Sequence, residues 1–147
     1  MGLLHIYDDD DWSMHVMTKR DDAQAVVAVQ GGARKMVEHL DSIVASGWRF
    51  NRVLFETHGG PGVIGMGEDG IDARWMRAVL AGRGYETFCE AGTRLYFNGC
   101  NVAEGDAGWD FLRAAAEVFL IGQRVETAVA ELHHQPGERA VDAAVRR

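Results

Sequence analysis

Only two cysteines, Cys89 and Cys100, occur in 147 residues, which excludes a disulfide scaffold and makes a reducing, cytoplasmic setting the expectation. Apolar runs are short. None approaches the roughly 18 residues a membrane-spanning helix requires. The opening Met-Gly-Leu-Leu-His-Ile-Tyr-Asp lacks the basic flank and small-residue cleavage site of a secretory signal, so none is expected. Cations are few against 22 acidic residues, the formal charge is −7, and a general nucleic-acid surface needs clustered cations to displace counterions. Lysine is nearly missing: with only Lys19 and Lys35, arginine supplies 13 of the 15 basic residues. Serine is limited to Ser13, Ser42 and Ser46, none within Gly-x-Ser-x-Gly, which removes a serine hydrolase of that type. Glycine is plentiful at 18 residues, and 47% of the chain is apolar, enough for one domain with its own core.

The hydrophobic patterning predicts strands alternating with helices. Leu3 to Tyr7, Trp12 to Thr18, Ala25 to Val29, Arg52 to Thr57, Arg94 to Asn98 and Gln123 to Ala130 read as strands. Apolar positions Met36, Val37, Leu40, Ile43 and Val44 recur at helical spacing over Ala33 to Ala45, and Gly47 stands where a left-handed C-terminal residue is wanted. Asp72 can cap a helix over Ala73 to Ala81, and Asp106 one over Ala107 to Leu120. The second of these would turn Phe111, Leu112, Ala115, Val118 and Phe119 inward. Between the Arg52 to Thr57 strand and the helix from Ala73, Val63 to Gly70 is too glycine-rich for a helix and suits a small hairpin or an irregular loop. Such alternation implies an α/β fold, a mainly parallel sheet with helices on both faces, and a ligand edge at the strands' carboxyl ends.

Two conspicuous residues arrive at that edge. Leu54-Phe55-Glu56-Thr57 runs into His58-Gly59-Gly60, and Leu95-Tyr96-Phe97-Asn98 runs into Gly99-Cys100-Asn101. One crossover between them would set the strands side by side, about 4.8 Å apart. A cysteine nucleophile attacks as the thiolate and needs a base or cation nearby, which a histidine supplies. Gly59, without a side chain, can leave its N–H free for a substrate oxyanion, with the Cys100 N–H as second donor. Glu56 and Asn98 are supporting candidates whose facing depends on strand alternation, and Gly99 and Asn101 flank the thiol. Each residue alone also has a plain structural account: His58 as a turn histidine, Cys100 as a small packed side chain.

A strand ending in His-Gly, followed by one ending in a small residue and Cys, resembles the caspase, legumain and gingipain-like cysteine peptidases. The fuller pattern is Thr57-His58-Gly59-Gly60-Pro61-Gly62, then Tyr96 through Gly105 with Gly108 and Phe111. It is most similar to a bacterial caspase-like domain, over roughly residues 50 to 130. The resemblance implies a three-layer α/β sandwich of caspase-like, flavodoxin-like topology in residues 1–130. Residues 131–147 then follow as a polar tail, with a frayed helix as its expected form. It further implies a thiol-dependent hydrolase of peptide bonds, with Cys100 as nucleophile and His58 as its dyad partner. A peptide or protein is the substrate, and no cofactor or metal is required. The alternative is a non-catalytic binding or assembly module on the same scaffold, because the short C-terminal half leaves a sheet edge that a second copy could complete.

Other motifs are weaker. Gly60-Pro61-Gly62-Val63-Ile64-Gly65 matches a dinucleotide fingerprint, but that motif must open a helix, and the glycines that follow oppose one. Asp8 to Asp11 suggests the acidic pocket of a phosphate receiver, yet the middle strand ends in Thr57-His58 and no late lysine follows. A solvated acidic turn is the expectation there. Cys89 has neither glycine nor histidine around it and reads as a packed thiol, and His133-His134 lacks the cysteine partners of a zinc site.

Overall fold

The computed structural model of the chain describes residues 2–11, 22–120, 132–135 and 138–141. The strands expected at Trp12 to Thr18 and Gln123 to Ala130 lie outside them. In chain order the elements are β1 (Leu3–Asp8), β2 (Ala23–Val29), α1 (Ala33–Ser46), β3 (Phe50–Glu56), β4 (Gly59–Gly60), β5 (Val63–Met66) and β6 (Asp69–Asp72). There follow α2, starting at Ala73–Trp75, β7 (Cys89–Asn98), α3 (Gly105–Phe119), β8 (Leu132–Gln135) and β9 (Glu138–Val141). The main sheet has the order β2-β1-β3-β7-β9-β8, and its first four strands are parallel. β9 runs antiparallel to β7 and to β8. Residues 132–135 and 138–141 thus form strands where the sequence suggested a helical tail. No described helix is long and apolar enough to cross a membrane.

Alternation sorts the strands' side chains cleanly. Leu4 and Ile6 of β1, Val27 and Val29 of β2, Val53 and Phe55 of β3, and Leu95 and Phe97 of β7 join one apolar cluster with the helices. The two crossovers leading from β2 to β3 and from β3 to β7 advance in the same direction across the sheet. Right-handed connections therefore put both on one face. Tyr85, in the 3-10 turn Tyr85–Phe88, ties the layer together. Its hydroxyl donates to Asp41 of α1 at 2.9 Å, and its ring stacks on Phe119 of α3 at 5.8 Å. Among the described residues the three helices contribute to this one apolar cluster. The other face carries Leu3, His5, Leu54 and Glu56, all buried.

Helix boundaries follow local chemistry. α1 ends at Gly47, whose φ of 74° is the left-handed conformation a glycine takes without strain. Asp72 caps α2 by accepting from the Trp75 N–H at 2.8 Å. The segment then widens to a π turn over Met76–Leu80, closed by the Ala81 N–H on the Met76 carbonyl at 3.3 Å. The expected cap of α3 is corrected. Its ladder starts at Glu104, whose carbonyl accepts from the Gly108 N–H at 3.0 Å, and Asp106 lies inside the first turn. Phe111, Leu112, Ala115, Val118 and Phe119 face the core as the spacing required.

Candidate active site

β3 and β7 are adjacent and parallel, with Glu56 opposite Asn98 in register. His58 and Cys100 each follow by two residues, so both leave the sheet at the same level of its carboxyl edge. The Thr57 N–H donates to the Asn98 carbonyl at 3.2 Å, the last rung before the two chains turn away. Beyond it the segments interlock through their glycines. A Cβ placed on Gly99 would stand 3.2 Å from the Thr57 carbonyl oxygen and 3.4 Å from the Gly59 Cα. One placed on Gly59 would meet Val102 Cγ2 at 2.6 Å and the Cys100 carbonyl oxygen at 3.2 Å. Glycine at these positions is what allows a histidine turn and a cysteine turn to touch.

The Gly59–Gly60 pair forms β4 and returns through Pro61-Gly62 into β5, so the glycine-rich fingerprint is a hairpin and opens no helix. Gly59 faces Ile64 in that ladder, while the rung beside it runs from the Gly65 N–H to the His58 carbonyl at 2.8 Å. Antiparallel pairs alternate between bonded and unbonded, and this pattern puts Gly59 in the unbonded one. Its N–H is directed away from β5, as an oxyanion donor requires. Cys100 is exposed and Asn101 follows at φ 59°, a left-handed conformation that asparagine tolerates better than most residues. The Asn101 carbonyl accepts from the Glu104 N–H at 3.0 Å, which closes the turn into α3.

An open cleft of about 810 Å³ lies over the carboxyl ends of β1, β2 and β3, between β1 and β3 where the strand order reverses. Sheets of this type gather ligands at such a point. Asp8, Asp10, Asp11, Gly31, Gly32, His58, Gly65, Gly67, Glu68 and Asp69 line it, whereas Cys100 does not. His58 Nε2 is 2.5 Å from Asp11 Oδ2, which bridges the ends of β1 and β3. The acidic stretch read as a solvated turn therefore does more. Asp10 Oδ2 accepts from the Gly31 N–H at 2.8 Å, and Asp69 Oδ2 accepts from the Ala33 N–H at 2.9 Å, serving as the cap that α1's own Gly32 cannot provide. Asp8 is buried, and burial raises its carboxyl above the ordinary range; the Gly67 and Asp10 N–H groups counter this, and the charges of Asp10 and Asp11 add to it. Among the described residues no three His, Cys, Asp or Glu side chains are grouped as a metal ion would need.

The supporting residues separate. Glu56 is buried against His5, with Oε1 3.4 Å from Nε2, and does not line the cleft. Asn98, its neighbour in register, shares that side of the sheet. Cys89, the packed thiol, is 2% exposed and pushed up to about 12 by burial, with Glu86 adding to the shift. Asp11 is the residue the sequence did not single out; its only signal was an acidic run directly after a buried strand. No family model matches the chain, and no curated protein or solved structure is detectably similar to it.

Proposed function

We propose that the protein is a caspase-like cysteine peptidase, a hydrolase of peptide bonds acting through Cys100 and His58. The observation that carries this reading is the glycine-mediated contact between the His58–Gly59 and Gly99–Cys100 turns at the ends of two adjacent parallel strands. The strand order β2-β1-β3-β7 is that of flavodoxin-like sheets, which the caspase-like topology shares, and supports the same reading.

In this mechanism the Cys100 thiolate attacks the carbonyl carbon of the scissile peptide, and the carbonyl oxygen takes the negative charge. The Gly59 and Cys100 N–H groups stabilise that oxygen. As the intermediate collapses, the C–N bond breaks, His58 gives its proton to the departing amine, and a thioester remains on Sγ. Water, deprotonated by His58, hydrolyses the thioester to a carboxylic acid and restores the thiol. The cleft lining holds five carboxylates and no arginine or lysine, so it repels an acidic substrate side chain and accepts neutral or basic ones.

The test is cleavage of a peptide library containing acidic, neutral and basic residues, with the full chain and its Cys100→Ala and Cys89→Ala variants. Cleavage is expected from wild type and Cys89→Ala, and none from Cys100→Ala. A Cys100→Ala protein as active as wild type would overturn the assignment and leave the scaffold a binding module.

A further inference from the structure

We infer that Asp11 is a positioning residue that fixes the His58 imidazole through Nε2 and reserves Nδ1 for the proton exchanged at the Cys100 side of the site. The inference rests on the peptidase reading for its catalytic meaning, but its structural half stands apart from it. The carboxylate comes from the end of β1 and the imidazole from the end of β3, and Asp11 Oδ2 stands 2.5 Å from His58 Nε2 in a direct ion-pair contact. A neutral imidazole has one N–H and one lone pair. With the N–H on Nε2 given to Asp11, the lone pair on Nδ1 is the one available to take a proton. The same carboxylate stabilises the imidazolium formed when that proton arrives, the task of the third member in Ser-His-Asp and Cys-His-Asn sites.

A plain surface ion pair is the competing account, since the His58 side chain is 61% exposed and such pairs contribute little to stability. Two features count against it. The pair spans the point where the strand order reverses, and it lies on the cleft lining next to Gly59. Asp8, Asp10, Glu68 and Asp69 also line that cleft with His58, so the comparison must separate Asp11 from the general acidic field. Glu68→Gln does this, because it removes one of those charges and leaves the Asp11 contact intact.

The experiment uses the full chain with Asp11→Asn, Asp11→Glu, Glu68→Gln and His58→Ala, each first checked for an unchanged unfolding midpoint. The primary measurement is imidazole 15N NMR of His58, which reads which ring nitrogen carries the proton. Wild type and Glu68→Gln should show the Nε2-protonated tautomer, and Asp11→Asn should lose that preference. Kinetics supply the second readout: Asp11→Asn should lower kcat about tenfold or more with KM changed less than twofold, and Asp11→Glu should recover part of the loss. An unchanged tautomer in Asp11→Asn would overturn the inference. Failure of the peptidase reading looks different. Cys100 would then react with iodoacetamide at the same rate in wild type and His58→Ala, whatever the tautomer shows.

Discussion

Strand β7 starts with one cysteine and another lies two residues past its end, and the two thiols meet opposite surroundings. At the amino end Cys89 is buried in the apolar core, and its neighbour Phe88 sits among aromatic rings. Phe88 contacts Phe50 edge-on at 6.4 Å, Tyr85 at 5.8 Å and Phe119 at 6.1 Å. No water reaches that thiol to solvate its ionised form, which is why it is pushed up to about 12. At the carboxyl end Cys100 is exposed, and the packing around it is backbone against backbone, made possible by missing side chains at Gly59 and Gly99. One end of the strand is built by filling space and the other by vacating it. Under the proposed function the chemistry belongs to the second, because a nucleophile needs room for a substrate.

The sharpest way to break that contrast is to remove volume at the filled end. Phe88→Ala should cost about 3–5 kcal/mol in urea denaturation, since it deletes a buried ring with three aromatic neighbours. It should leave the His58–Asp11 contact and any cleavage at low temperature in place. A loss below about 1 kcal/mol would mean the amino end is loosely packed and the contrast is false. At the vacated end the damaging change is the opposite one. Gly59→Ala adds a single methyl 2.6 Å from Val102 Cγ2 and 3.2 Å from the Cys100 carbonyl, so one of the two turns must shift. About 1–3 kcal/mol of destabilisation is expected from overpacking, with a disproportionate loss of cleavage because the oxyanion donor moves with the turn. An active, fully stable Gly59→Ala protein would show that the turns do not touch in solution.

Much of this contrast is legible in the sequence, for reasons that differ between the ends. The buried strands β1, β3 and the second half of β7 are short apolar runs ended by polar or glycine residues. The inward face of α3 follows from the spacing of Phe111, Leu112, Ala115, Val118 and Phe119. The first half of β7 is hidden because Glu90, Ala91, Gly92 and Thr93 carry no strand pattern. That stretch shifts register against β3 and is held by the Thr93 hydroxyl on the Phe50 carbonyl at 3.0 Å, a tertiary bond no local rule anticipates. At the site, His58, Gly59 and Cys100 stand out because unusual residue types occur directly after apolar runs. Asp11 does not, since an aspartate in an acidic turn is the commonest kind of surface residue. Its partner is 47 positions away, and only the β1–β3 pairing brings the two together. Glu56, two residues before His58, is engaged elsewhere: it is buried beside His5 and does not line the cleft that His58 lines.

The smallest expected effect tests the electrostatics of the vacated end. Asp8 closes β1 with only 4% of its surface exposed, accepting from the Asp10 N–H at 3.1 Å. Burial raises its carboxyl more than the Gly67 and Asp10 N–H groups lower it, so the folded protein holds this proton more tightly than the unfolded chain. Between the unfolded and the folded titration the native state therefore binds more protons, and stability contributed by this group falls as pH rises through that window. At pH 7 the ionised Asp8 weakens the fold. Asp8→Asn keeps an acceptor oxygen for the Asp10 N–H and removes the charge, so it should raise the urea midpoint at pH 7. The gain should fade as the pH drops below about 4, where the unfolded carboxyl is itself protonated. A gain that does not vary with pH would assign the effect to shape rather than charge. A loss at pH 7 would mean that the two N–H groups outweigh burial, and that the cleft's negative field is held more comfortably than its depth suggests.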